Sequence, residues 1–225
     1  MQNKLFEWNE ENIGWFEASS KYSKFHEKLA SLISPILDNN STVIDVGAGL
    51  GRLDQYIRDH CRQMILVEPN KYAFNYLVEN KKENQMLFNM TFEEYLELNR
   101  EPCDYLLLSF FSRMEMEDNL ERLSSLCKKK IIYVRNENHD SNDTLIEYLN
   151  DKGAEFKYFH REIDFSQPLK KDDVDKFIET YYGSKSKSKK QKMRDSIINE
   201  GDHCIYKNTK QISIFIIEKF NKEEL

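Results

Sequence analysis

Val43-Ile44-Asp45-Val46-Gly47-Ala48-Gly49-Leu50-Gly51 joins a short apolar run to three glycines at alternate positions. The run is mostly β-branched, and this pattern predicts a buried parallel strand. The glycines predict a tight turn into a helix, because glycine adopts a left-handed backbone without steric cost. Backbone N–H groups in such a turn can approach a ligand closely, and the start of the next helix favours a negative group. The segment therefore predicts a site for a small ligand with a carboxylate or phosphate.

Strands and short helices alternate after this segment. Apolar runs predict strands at 63–68, 85–89, 104–110, 130–135, 154–163 and 211–219, and helical spacing predicts helices at 51–60, 71–80, 92–98, 116–127 and 141–151. Such alternation is typical of parallel βαβ units in an α/β fold with a doubly wound sheet. Residues 16–37 carry apolar side chains at helical intervals ahead of the first strand.

A long polar segment separates the last two predicted strands. It contains helical patterns at 171–182 and 191–199, with a Gly-, Ser- and Lys-rich stretch between them. Because it is too long for a connecting loop in a compact domain, we interpret 164–203 as a helical insertion with a role of its own. The lysines of 185–192 have serine neighbours and no interleaved aromatics, which favours a solvated mobile loop. Binding of phosphate or RNA by these lysines is the alternative interpretation.

Composition restricts the class of protein. The chain has 225 residues, 40% hydrophobic and 32% charged, as expected for one globular domain spanning residues 1–225. It shows neither a membrane-length apolar run nor a signal-peptide pattern, so we expect a cytoplasmic protein without a membrane partner. The four cysteines have no paired spacing, which predicts neither a metal site nor a disulfide framework. A net charge of −6 argues against a protein that binds duplex nucleic acid mainly through phosphates.

An acidic residue at the end of the second predicted strand limits which ligands fit the predicted site. Glu68 precedes Pro69, and a carboxylate at this edge can accept hydrogen bonds from both hydroxyls of a ribose. Nicotinamide dinucleotides and S-adenosylmethionine both contain such a ribose. A dinucleotide site requires Gly-x-Gly-x-x-Gly, whereas Arg52 stands where the last glycine would fall. The spacing therefore disfavours the nicotinamide cofactor.

With these motifs the sequence resembles the class I S-adenosylmethionine-dependent methyltransferases. Residues 43–51 resemble the first motif of that family, Val67-Glu68-Pro69 resembles the second, and the resemblance extends over residues 40–136. It implies a seven-stranded mixed sheet whose last strand is antiparallel, S-adenosylmethionine as methyl donor and S-adenosylhomocysteine as product. The cofactor-binding residues that we predict on the main domain are Asp45, Gly47, Ala48, Gly49, Gly51, Glu68, Pro69, Met90, Thr91 and Ser109.

The resemblance also implies that the insertion 164–203, before the final strand, is the substrate cap, because this family commonly builds acceptor specificity there. Residues 1–40 stand where this family often places a helix that covers the cofactor. In that segment Tyr22 and His26 are candidates for cofactor or substrate contact, with packing in the core as the alternative. Methyl transfer needs a base only if the acceptor must lose a proton, and the candidate bases are His139 and His26. A lone histidine is also commonly a structural residue, so the catalytic residues stay undetermined.

The residues after the fourth predicted strand bear on the acceptor. Family members that methylate amino groups of nucleic-acid bases or glutamine tend to carry Asn/Asp-Pro-Pro-Tyr/Phe there, whereas this chain has Ser109-Phe110-Phe111. We therefore predict a methyltransferase for a small-molecule acceptor. An RNA or protein methyltransferase, a nicotinamide oxidoreductase and a non-catalytic S-adenosylmethionine-binding module are the alternatives. The sequence does not indicate an oligomeric state.

Overall fold

The computed structural model describes residues 8–98, 101–111, 116–137, 139–183 and 185–218. Ten strands occur in these ranges: β1 Thr42–Val46, β2 Gln63–Val67, β3 Gln85–Phe88, β4 Cys103–Ser109, β5 Cys127–Asn136, β6 Phe156–Asp164, β7 Gln167–Lys170, β8 Ile197–Glu200, β9 His203–Tyr206 and β10 Thr209–Glu218. Seven of them form the main sheet, in the order β3-β2-β1-β4-β5-β10-β6, and the other three form a small sheet, in the order β7-β9-β8.

The main sheet is mixed. Its neighbours from β3 to β5 pair in parallel, while β10 runs antiparallel to both β5 and β6. This confirms the predicted seven-stranded sheet with an antiparallel last strand. The strand order reverses at β1, which has β2 on one side and β4 on the other. Ligands of open α/β sheets bind at the carboxyl ends of the strands beside such a reversal.

Helices cover both faces of the sheet. They are α1 Glu10–Ser23, α2 Phe25–Ile33, α3 Asp54–Ile57, α4 Lys71–Glu79, α5 Phe92–Glu97, α6 Met116–Ser125, α7 His139–Asp151, α8 Val174–Tyr182 and α9 Lys187–Asp195. Apolar side chains of α5, α6 and α7 pack on one face, and those of α2, α3 and α4 pack on the other. The helical pattern of 16–37 breaks at Lys24, which has a φ of 55°, and the Ser23 hydroxyl accepts the N–H of Phe25 there.

The insertion contains two helices, as predicted, and also the small sheet, which the sequence patterns missed. Residues 191–199 are not one helix, because α9 ends at Asp195 and β8 begins two residues later. The four residues of β8 end in Asn-Glu and show no alternation of apolar and polar side chains, so they gave no strand signal. Gly201 closes the β8–β9 hairpin with a φ of 61°.

The lysine-rich segment also differs from its prediction. Most of 185–192 belongs to α9 instead of a mobile loop, and the side chain of Ser186 caps this helix. Lys190 and Arg194 form ion pairs with Glu179 and Asp175, which hold α9 against α8. Trp15 of α1 packs against α8 and closes a small core formed by Leu169, Phe177, Ile178, Met193 and Cys204.

The structure also bears on membrane-spanning helices, metal sites and disulfide bonds. Within the described ranges, no helix is long and apolar enough to cross a membrane. The same ranges hold no cluster of three histidine, cysteine or acidic side chains suited to a metal ion. All four cysteines are buried, and each has a free thiol.

Candidate cofactor site

The glycine turn at the end of β1 has the predicted backbone. Gly47, Gly49 and Gly51 have φ values of 73°, 56° and 64°, which lie in the left-handed region. The N–H groups of Gly47 and Ala48 donate to the carbonyl of Val67, at 2.8 and 3.2 Å. The turn is therefore fixed against the end of the neighbouring strand β2.

Among the three glycines of the turn, Gly51 has the least room for a side chain. A Cβ there would stand 2.6 Å from Cδ2 of Leu77, a core residue of α4. We expect Gly51→Ala to lower the free energy of unfolding by about 1–2 kcal/mol for the left-handed backbone and by a further ~1–3 kcal/mol for overpacking. Urea denaturation measures this loss. Gly153→Ala is the matched control, because Gly153 has a φ of 62° and open space around its Cβ position, and equal losses in the two variants would contradict the steric argument.

Glu68 connects the glycine turn to the loop after β2. Its Oε2 accepts the N–H of Gly49 and its Oε1 accepts the N–H of Asn70, both at 2.8 Å. The side chain is buried, and burial raises the pKa of its carboxyl while the two backbone donors oppose the rise. A carboxylate has about four acceptor positions, so Glu68 retains capacity for ribose hydroxyls. These bonds were not expected from the sequence, which gave Glu68 only a ligand role.

A second acid, Asp54, lies beside Asp45 in the interior. Both side chains are almost fully buried, and Oδ1 of Asp45 and both carboxyl oxygens of Asp54 have no hydrogen-bond donor in the described chain. Burial and the neighbouring Asp54 raise the pKa of Asp45 well above its ordinary range, and burial raises the pKa of Asp54 to about 7. Two adjacent carboxyls without donors share a proton readily. A cationic ligand group, such as the ammonium of S-adenosylmethionine, fits this pair.

Aromatic side chains cover the glycine turn. The indole of Trp8 lies 3.5 Å from the Cβ position of Gly49, and the ring of Phe111 lies 3.0 Å from that of Gly47. Trp8 also meets Phe16 edge-on at 5.1 Å. Rings in these positions exclude water from the backbone of the turn. A larger side chain at Gly47 or Gly49 would meet one of these rings.

Helix α1 is tied to the turn by Arg52. Its guanidinium forms an ion pair with Glu17 of α1 and hydrogen bonds with Gln55 and with the hydroxyl of Tyr76, at 3.0 and 2.5 Å. Arg52 stands where a dinucleotide-binding motif would have its third glycine. Here its side chain attaches the N-terminal segment to the glycine turn. Trp8 lies over Gly49, and Trp15 packs on the insertion. The lid of 1–40 over the cofactor stays a prediction, and residues 1–7 lie outside the described residues.

The loop after β3 lies next to Glu68. The side-chain amide of Asn89 donates to the carbonyl oxygens of Glu68 and Pro69, at 2.8 and 3.2 Å. Met90 packs against the core, and Thr91 caps α5 by accepting the N–H of Glu94. The structure thus places the loop that carries the predicted cofactor residues Met90 and Thr91 next to Glu68. Contact of Met90, Thr91 and Glu68 with the cofactor stays a prediction.

The predicted site residues Tyr22 and His26 interact with side chains outside the glycine turn. Tyr22 is 44% exposed, with the ammonium of Lys207 5.9 Å above its ring. His26 is buried and its Nδ1 lies 2.7 Å from the Ser20 hydroxyl. Burial and the charge of Lys210 lower the pKa of His26 to about 3, which argues against a base at neutral pH. The side chain of His139 lies outside the described residues.

Ser109 ends β4 and is followed by Phe110, which has an unusual backbone. The φ of Phe110 is 54°, although its side chain is bulky, and its N–H donates to the carbonyl of Val134 at 2.8 Å. Non-glycine residues in this region are strained and concentrate at functional sites. The side chains of Phe110 and Phe111 pack on opposite faces of the sheet. Phe111 reaches the glycine turn, while Phe110 packs beside α2.

The chain is similar to known proteins in structure but not in sequence. No protein-family profile matches the chain, and no curated protein matches it. A precorrin-6y C5,15-methyltransferase from Geobacter metallireducens superposes with a TM-score of 0.57 at 12% identity, covering 84% of this chain and 87% of that one. A precorrin 8w decarboxylase from Methanobacterium thermoautotrophicum gives a TM-score of 0.56 at 15% identity, with coverages of 84% and 88%.

An rRNA methylase from Streptococcus thermophilus is also similar. It superposes with a TM-score of 0.51 at 13% identity, covering 86% of this chain and 95% of that one. The similar structures thus include proteins named for different substrates, and identities this low support the fold alone. The chain has the fold of the class I S-adenosylmethionine-dependent methyltransferases.

Proposed function

We propose that this protein transfers a methyl group from S-adenosylmethionine to a small-molecule acceptor and releases S-adenosylhomocysteine. One observation carries the proposal. The carboxylate of Glu68 and the buried carboxyl of Asp45, whose Oδ1 has no hydrogen-bond donor in the described chain, flank a glycine turn at the point where the strand order reverses. An acceptor for ribose hydroxyls and an acceptor for an ammonium match two polar groups of this cofactor.

The residues of the site would act by binding, alignment and exclusion of water. S-adenosylmethionine, when bound, supplies an electrophilic methyl group on a sulfonium. Displacement at that methyl depends on alignment of the acceptor, and dry surroundings strengthen the electrostatic interactions. Trp8 and Phe111 would keep water from the turn, because both rings already pack on its glycines. No general base is assigned.

The small-molecule acceptor is supported by the charges and rings near the site. Lys190 and Arg194 of α9 are neutralised by Glu179 and Asp175, which weakens this helix as a phosphate-binding surface. The chain as a whole has a net charge of −6. Aromatic side chains after β4 suit an organic molecule better than a phosphate backbone. RNA remains the second candidate because lysines 185, 187, 189 and 192 of the same region are exposed.

Isothermal titration tests the donor. We expect S-adenosylmethionine and S-adenosylhomocysteine to bind with one site per chain and NAD to give no heat at the same concentration. Absence of binding by both adenosyl compounds would overturn the proposal. Transfer is then measured with radiolabelled S-adenosylmethionine and two acceptor pools, a small-molecule extract and total RNA. Label in RNA alone would reject the small-molecule acceptor. Binding without transfer to either pool or to added total protein would indicate a non-catalytic module.

A further inference from the structure

Lys210 occupies an unusual position at the same edge of the sheet. It is the second residue of β10, and because this strand is antiparallel, its beginning lies at the carboxyl ends of the parallel strands. Its backbone pairs with Ile163 of β6. The side chain leaves the sheet on the face that carries α2, as do the nearby Ile212 and Ile214. Lys210 is therefore on the edge and face where an acceptor would lie.

Three phenylalanine rings surround the ammonium of Lys210. Its Nζ lies 4.0 Å from the ring centroid of Phe165, 4.7 Å from that of Phe110 and 5.2 Å from that of Phe25. The side chain is partly buried, and burial lowers the pKa of the ammonium to about 8. In the described part of the chain no carboxylate forms an ion pair with it, and the titratable group that faces it is His26, whose charge would repel it.

The three phenylalanine rings around Lys210, here called the ring cage, connect to the glycine turn through other aromatic side chains. Phe165 meets Phe16 at 5.9 Å, and Phe16 meets Trp8, which lies over Gly49. Phe110 is followed in sequence by Phe111, which packs on Gly47, but these two side chains lie on opposite faces of the sheet. One series of ring contacts therefore joins the ring cage to the turn. A group bound at Lys210 would lie beside the proposed donor and not on a remote surface.

A buried ammonium without a counter-ion is unfavourable unless something compensates for lost hydration. Rings compensate in part, because their faces attract a cation. An uncharged side chain of similar length would fill the same space at no such cost, so packing does not explain a lysine here. An anionic ligand group would supply the missing partner, and the rings would hold an apolar body attached to that group.

We propose that Lys210 binds the anionic group of the methyl acceptor, and that the acceptor is a small organic anion with an apolar or aromatic body. The proposal rests on the methyltransferase function above and specifies its substrate class. The anionic group is a carboxylate or a phosphate, since either accepts the hydrogen bonds of an ammonium. Lys210 thereby sets the orientation of the acceptor against the donor and takes no part in bond formation.

The test uses the whole protein loaded with S-adenosylhomocysteine and three probes of one shape: benzoate, phenyl phosphate and neutral benzamide. Binding is followed by nuclear magnetic resonance titration. We expect one of the anions to bind the unmodified protein about tenfold or more tightly than benzamide. The better of benzoate and phenyl phosphate identifies the carboxylate or the phosphate. Lys210→Met should remove the preference for the anion, whereas Lys207→Met, which changes the exposed lysine over Tyr22, should keep it.

The possible outcomes separate the two proposals. Equal binding of anion and benzamide, no binding of either anion, or an anion preference that survives in Lys210→Met would each overturn the role of Lys210. If the anion preference depends on Lys210 but S-adenosylhomocysteine does not bind, the anion site stands and the methyltransferase proposal fails. Lys210→Met should fold, because a thioether fills the ring cage, and its amide spectrum verifies this. In the unmodified protein, anion binding should also raise the pKa of the Lys210 ammonium.

Discussion

Replacing Glu68 by alanine should weaken the binding of S-adenosylhomocysteine by about 100-fold. The substitution removes a buried charged acceptor that we assign to both ribose hydroxyls, and hydrogen bonds to a charged group are worth about 1.5–3 kcal/mol each. Two such bonds correspond to a factor of about 100 or more in the dissociation constant. It also leaves the N–H groups of Gly49 and Asn70 without their acceptor, so the melting temperature should fall as well. Calorimetric titration and thermal unfolding measure the two effects.

Two further variants separate binding from folding. Asp38→Ala removes a carboxylate that also accepts a backbone N–H, from Asn40 at 2.8 Å, but lies before β1 at the opposite edge of the sheet. Its affinity for S-adenosylhomocysteine should stay within about twofold of that of the unmodified protein. Glu68→Gln keeps one carbonyl acceptor without the charge, and we expect an intermediate loss of about tenfold. Unchanged affinity in Glu68→Ala would remove Glu68 from the cofactor site.

The sequence was informative where the chain alternates apolar runs with turn residues. The strand before Gly47 and the three left-handed glycines are local patterns, and each has the structure that its pattern predicted. The ribose-binding role of Glu68 stays a prediction. The antiparallel last strand followed only from the resemblance to a family. The short strands β7, β8 and β9 were missed because pairing with each other, and not the properties of their own residues, makes them strands.

The site residues that sequence reasoning missed depend on tertiary contacts. Asp54 stands at the start of a helix, where an acid is ordinary, and only the fold buries it against Asp45. Trp8 lies 41 positions before Gly49 and reaches it through the path of α1. Lys210 reads as a polar residue at the beginning of a strand, and the rings around it come from three other parts of the chain. The spacing of residues along the sequence does not predict such contacts between distant parts of the chain.

Replacing Asp54 by asparagine should stabilise the protein above pH 7 and flatten the dependence of its stability on pH. In an unfolded chain both acids titrate near pH 4, whereas burial raises the pKa of Asp54 to about 7 and that of Asp45 well above its ordinary range. Between these pH values the folded protein therefore binds more protons than the unfolded chain. The contribution of Asp45 and Asp54 to the free energy of unfolding is therefore fully present below about pH 4. It is lost as the pH rises through 7, where the folded protein gives up these protons.

Asp54→Asn removes one of the two buried acids and gives Asp45 an amide donor. Since each tenfold change in proton affinity is worth about 1.4 kcal/mol, we expect the free energy of unfolding at pH 8 to rise by about 2–4 kcal/mol. Urea denaturation at pH 5 and pH 8 measures the change. Asp59→Asn is the control, because that side chain is 79% exposed. If Asp54→Asn and the unmodified protein lost equal stability between pH 5 and pH 8, the shared proton would be rejected.

The same pair links cofactor binding to a proton. If the ammonium of S-adenosylhomocysteine binds Asp45 in its charged form, binding at pH 6 must release the proton that Asp45 and Asp54 share. The measured binding enthalpy should then depend on the ionisation enthalpy of the buffer, and affinity should rise between pH 6 and pH 8. In Asp54→Asn the pH dependence should change, because Asp45 alone then carries the titration. A buffer-independent enthalpy at pH 6 would mean that the ammonium does not contact this pair, whatever the result with Glu68.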